Sequence, residues 1–105
     1  MTLHRVYIPN NSGHDYSDAS RFGALVILSD GAIDKFSLTE MFRVFELGMR
    51  ESTSTDFIIQ AGPSIMLAVA CSIFASRHHR LNLLIWRYEY AGGDHYVHSS
   101  LILPR

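Results

Sequence analysis

Only one cysteine, Cys71, occurs among the 105 residues, so no disulfide can form within the chain, and a reducing compartment is the natural setting. Excess charge of one sign is missing as well. Nine Lys and Arg stand against ten Asp and Glu, a formal charge of -1 with neutral histidines. That balance excludes a protein that coats nucleic acid through a broad basic surface, although a small local basic pocket stays open. Six histidines make the balance sensitive to mild acid. Long hydrophobic runs are also absent: the longest, Ile65 to Cys71, falls far below the roughly 20 residues that span a bilayer. The start, "MTLHRVYIP", lacks the apolar centre of a secretion signal, so a cytoplasmic protein without a membrane partner is expected. There is no repeat, low-complexity segment, charge block or linker.

What is present is a chain that is 48% hydrophobic, enough for the core of one domain spanning residues 1–105. "HRVYIP" reads as a first strand that stops at proline. "FGALVILSDG" is a near-continuous apolar run closed by Ser-Asp-Gly, the pattern of a second strand buried on both faces. At Ser37 the period changes. "SLTE" matches a capping box, in which Ser37 accepts from the Glu40 amide and the Glu40 side chain reaches back to the Ser37 N–H. Leu38, Met41, Phe42, Phe45 and Met49 then follow helical spacing and form the expected core face, with Glu40, Arg43, Glu46 and Arg50 elsewhere around the turn.

"DFIIQAG" reads as a short buried strand, and Gly62-Pro63-Ser64 as a strand-to-helix junction with proline at the first helical position. The second helix is apolar nearly all round from Ile65 to Ala75 and needs cover on more than one side. Arg77, His78, His79 and Arg80 stand at its end, where cations suit the exposed carbonyls. "LNLLIWRYEY", "AGGD" and "HYVHSSLILP" form a hairpin. The expected fold class is α/β: a small, open, mainly parallel sheet of about five strands with two main helices and a C-terminal β-hairpin. An α+β arrangement with the first two strands antiparallel is the competitor.

In an open parallel sheet, ligands bind beyond the carboxyl ends of the strands. That rule gathers three segments, 10–15, 29–31 and 60–64. Asn10, Asn11, Ser12, Gly13, His14 and Asp15 make a polar loop suited to hydrogen bonding with a base, a sugar or a phosphate, and equally a common turn composition. Gly62 permits close backbone approach and Ser64 adds a hydroxyl at a helix start, a potential anion site without a Walker or Rossmann fingerprint. Asp30 completes the candidate set. It joins His14 and Asp15 in a candidate hard-metal site, against which stands the ordinary Ser-Asp-Gly turn. Asp15 has a rival role in an Asx turn that starts a short helical turn over residues 17–21. Trp86, Tyr88 and Tyr90 alternate and share a strand face, which stacks a purine, forms an oligomer contact or, more commonly, packs on a helix. His95 and His98 fall on opposite faces. Cys71 reads as a buried small hydrophobe. No cofactor, resident metal or catalytic set is implied.

The segments "VYIPNNSGHDYSDASRFG", "DFIIQAGPS" and "ACSIFASRHHRLNLLIW" resemble small α/β accessory proteins of bacteriophages and mobile elements, with no narrower family assigned. The resemblance implies a protein made in the host cytoplasm during infection, and some proteins of this kind are oligomeric sponges for nucleotide signals of host defence. Three converging loops without a complete catalytic set make the leading expectation a non-catalytic module that binds or sequesters a small anionic, nucleotide-like ligand, and the all-apolar second helix and aromatic last strands make it a homo-oligomer. A small His/Asp-dependent phosphohydrolase and a protein-interaction or assembly protein are the alternatives.

Overall fold

The structure is a computed structural model that describes residues 4–31, 33–34, 36–89 and 91–104. Five strands, β1 (Arg5–Ile8), β2 (Ala24–Ile27), β3 (Phe57–Ile59), β4 (Arg80–Arg87) and β5 (His95–Ile102), form one sheet in the order β2-β1-β3-β4-β5. The first four are mutually parallel, and only β5 runs antiparallel to its neighbour. Two helices, α1 (Leu38–Gly48) and α2 (Ser64–His78), and a short 3-10 helix over Ser17–Arg21 connect them. The parallel β1–β2 pair decides against the α+β competitor. No described helix is long and apolar enough to cross a membrane.

The two faces of the sheet are covered unequally. Tyr7 and Ile58 point into one core with Met41 and Phe45 from α1, Met49 at its C-terminal cap, and Met66, Ala70, Ile73 and Phe74 from α2. Val6, Ile8, Ile59 and Leu84 point the other way, where Tyr16 and Ala19 of the first connection and Tyr96 cover them. Both main helices thus lie on one face, and among the described residues the 3-10 helix and its flanks cover the opposite one.

Local sequence explains most of these elements. Ser37 Oγ accepts from the Glu40 amide at 3.4 Å and caps α1. The reciprocal half of the capping box is absent: the Ser37 amide donates to Asp34 O, and the Glu40 carboxylate pairs with Arg43 at 2.7 Å. The buried stripe of α1 is narrower than its apolar spacing suggests. Met41, Phe45 and Met49 are buried, while Leu38 and Phe42 are 55% and 52% exposed, because the sheet lies under only one side of the helix. Pro63 is the cap residue of α2 and Ser64 its first turn. His79, in the left-handed region at φ 53°, ends α2 and lets β4 begin at the next residue. α2 is covered by the sheet and α1, and its remaining side, with Ala68, Ser72 and Ser76, faces outward.

β2 is the element most different from expectation. It is an edge strand, and Leu25 and Ile27 are 39% and 50% exposed. Only Val26 packs into the helix-covered core, because the cover on the opposite face does not shield them. The other edge strand, β5, is tied down at its start. Asp18 accepts from the Tyr96 amide at 2.8 Å and Arg21 donates to the Tyr96 carbonyl at 2.5 Å, so two side chains occupy backbone groups that would otherwise be open to another strand.

Candidate functional site

The connections leaving β1 and β3 go to opposite faces of the sheet: the first passes through the 3-10 helix, the second into α2. Adjacent parallel strands whose connections diverge leave a crevice at their carboxyl ends. A hollow of about 630 Å³ lies there, bordered by His14, Asp15, Tyr16 and Asp18 from the first connection, Gln60, Ala61 and Gly62 after β3, and Trp86, Tyr88, Asp94 and Tyr96 from the hairpin.

The loop before the 3-10 helix is ordered by its own polar groups. Asp15 Oδ1 accepts from the Ser17 amide at 2.9 Å, the Asx turn that opens Ser17–Arg21. This bond, together with one from the Ser17 side chain, lowers the Asp15 ionisation below the ordinary carboxylate range. Asn11 Oδ1 accepts from the Gly13 amide, and Gly13 takes φ +83°, a value few other residues tolerate. The Tyr16 hydroxyl bonds with Ser12 Oγ at 3.1 Å and donates to Asn10 O at 3.3 Å. Tyr16 therefore gathers Asn10 and Ser12 about one phenol. The Asn11 amide donates to Ser29 O, which ties this loop to the end of β2.

Gly62, at φ +81°, sits where a Cβ would lie 3.3 Å from Asn10 Cβ, so the ends of β1 and β3 touch through a missing side chain. Asn10 Oδ1 is buried beside it with no hydrogen-bond partner among the described residues. An orphaned buried acceptor of this kind costs about 1–3 kcal/mol.

On the hairpin side, register sets the wall. Trp86 pairs with Tyr96 across β4 and β5, and their rings meet at 4.7 Å and 70°, edge against face. Tyr88 continues the same side at 6.4 Å from Trp86. These aromatics do not pack on a main helix, the commoner fate of such a face; they lie opposite the helix-covered core and line the hollow. Tyr90 lies outside the described residues. Asp18, bonded to the Tyr96 amide and to Arg21, has its ionisation lowered chiefly by that amide. Burial raises the Tyr96 phenol.

Of the residues expected at a site, the structure brings His14, Asp15 and Gly62 to the border of this hollow. Asn10, Asn11, Ser12 and Gly13 form the loop behind it, and Ser64 begins α2 without lining it. Asp30 stands apart, at a shallower hollow of about 320 Å³ with Ile27, Leu28, Ser29, Ile33 and Val44. Among the described residues no hydrogen bond joins His14 to Asp15 or Asp30; the His14 ring instead lies edge-on to Tyr16 at 6.3 Å. No group of three or more His, Cys, Asp or Glu suited to a metal ion occurs among them.

Tyr16, Asp18, Asp94 and Tyr96 border the hollow without belonging to the set expected from sequence. The only sequence signal for the hairpin pair is the turn at "AGGD", which sets Trp86 opposite Tyr96. The other candidates are structural. His78 Nε2 bonds Ser52 Oγ at 2.9 Å, His98 stacks edge-on to Phe57 at 5.0 Å, and burial pushes the Cys71 thiol up to about 11.

No curated protein and no solved structure matches this chain. Its sequence does match the Phage Pam3 gp32-like protein family over residues 4–97, and this extent, which covers β1 to β4, the start of β5 and every residue that borders the hollow, makes the chain a member of that phage family.

Proposed function

We propose that this phage-family chain is a small-ligand binding protein, and that its ligand carries a planar, nucleoside-like ring lodged in the hollow at the ends of β1 and β3. One observation carries the reading: His14 and Gly62, from separate segments, border a common hollow at the point where the connections diverge. The aromatic wall of Trp86, Tyr88 and Tyr96 supplies ring contacts, and the carboxylates of Asp15, Asp18 and Asp94 accept hydrogen bonds from amino or hydroxyl groups. A phosphate on such a ligand has its support at His14 and the Gly62 backbone, since no Lys or Arg among the described residues lines the hollow. Sequestering a nucleotide-like signal inside an infected host is the role this binding would serve, in the host cytoplasm and as an oligomer.

Calorimetry and thermal shift against a panel of nucleosides, linear nucleotides and cyclic nucleotides test the reading. Saturable binding that weakens in His14→Ala or Trp86→Ala, and not in the distant Leu47→Ala, is the expected result. Silence across the panel from well-folded protein overturns it. A second reading, a phosphohydrolase using His14, draws on the same imidazole beside Asp15, and it requires product formation that His14→Ala abolishes.

A further inference from the structure

The sign of the charge around the hollow narrows the ligand further than its shape does. Its lining includes Trp86, Tyr88, Tyr96 and Tyr16, three aspartates and one histidine, with neither lysine nor arginine among the described residues. Arg21 pairs with one lining carboxylate, Asp18, and donates to the Tyr96 carbonyl, so it offsets that aspartate and leaves Asp15 and Asp94, while Arg87 pairs with Glu89. Asp15 and Asp94 take part in no ion pair among the described residues. Asp94 Oδ1 accepts a backbone bond from the Glu89 amide at 3.2 Å. Tyr88 is 79% exposed, so an aromatic face stands open at the rim. Faces of Trp and Tyr attract cations through the ring quadrupole, most strongly where water is excluded, and carboxylates nearby add to that attraction.

We propose that the hairpin side of this hollow is a seat for an organic cation, an amine or quaternary ammonium group held against Trp86 and Tyr88 with Asp15 and Asp94 supplying the opposite charge. The proposal rests on the small-ligand reading above and adds to that ligand a cationic group on the hairpin side, away from His14 and Gly62. Two features favour an organic head over a bare metal ion: the aromatic wall, which presents no metal-ligating atoms suited to a hard cation beyond phenol oxygens, and the size of the cavity.

Trp86 is the only tryptophan in the chain, so its emission reports on this seat directly. The experiment titrates the intact chain with choline and, separately, with 3,3-dimethylbutan-1-ol, which has the same shape without the charge, at constant ionic strength. A saturable change in Trp86 emission with choline, about tenfold weaker with the neutral alcohol, is expected. Asp15→Asn and Asp94→Asn, both at exposed positions, should each weaken choline and leave the alcohol unchanged. Equal response to both probes overturns the proposal. So does an absence of response to choline when a nucleoside or nucleotide binds and perturbs Trp86; the small-ligand reading then survives alone. If no probe of any class binds, both fall. Because the choline and alcohol comparison uses the unaltered protein, it stands even where a variant fails to fold.

Discussion

Asp18 accepts the amide of Tyr96 at 2.8 Å, a bond between residues 78 apart in sequence that joins the first connection to the last strand. It closes one wall of the hollow and, with Arg21, occupies the start of an edge strand. Asp18→Ala should cost about 1 kcal/mol, since the carboxylate is partly solvated, and should weaken whatever ligand the hollow holds. The pH dependence has a definite sign. Asp18 ionises at lower pH in the folded chain than in the unfolded one, so its contribution is complete above the unfolded value and is lost as the pH falls through the folded value. Asp18→Asn, which keeps an acceptor but no charge, should flatten the acid limb of a denaturation series. An unchanged limb would contradict the assignment.

Gly13 and Gly62 provide an internal control for each other. Both take φ above +80°, but a Cβ at Gly13 meets nothing within 4 Å whereas one at Gly62 meets Asn10. Alanine at either position should cost about 1–2 kcal/mol in backbone strain. Gly62→Ala should cost more, and the excess measures the contact between the ends of β1 and β3. Equal losses by urea denaturation would mean that Asn10 yields freely.

Tyr7 carries a hydroxyl that is buried without a hydrogen-bond partner among the described residues, and burial raises its ionisation. Tyr7→Phe removes the polar atom and keeps the ring. Stability should rise by about 1 kcal/mol. A loss of stability would show that the hydroxyl has a partner in solution, such as a bound water.

His78 tests the helix-covered side. Burial, and then the adjacent Arg77 guanidinium, lower its ionisation, with Asp56 opposing. The folded chain therefore favours the neutral imidazole. Stability is complete above the ordinary histidine value of about 6.5 and falls as the pH drops toward the lower folded value. Replacing it, His78→Gln, should remove that slope from a series of denaturation midpoints between neutral and mildly acid pH. If the slope persists, another histidine causes it.

Sequence patterning reveals the parallel core because each element carries its own marker: the proline after β1, Ser37 at the start of α1, and Gly62-Pro63 before α2. What it does not show is which face each helix takes. Nothing in "FGALVILSDG" distinguishes an edge strand from a central one, since strand order arises from the connections and not from the strand itself. For the same reason Leu38 and Phe42 read as core. His14 and Gly62 are legible because both follow strands whose ends must lie together. Asp94 and Tyr96 are not, because they belong to the antiparallel return, which approaches the same edge from the opposite direction. Asp30 falls in with His14 only under an edge rule that takes no account of faces.

The pairing of Trp86 with Tyr96 follows from the length of the turn between β4 and β5. In a two-residue side-chain alternation, one inserted amino acid shifts every later partner and sends Tyr96 to the side where α2 lies. The aromatic wall is thus encoded as a count of residues as much as by their identity, and relatives that bind the same molecule should preserve that count even where the turn's own letters vary.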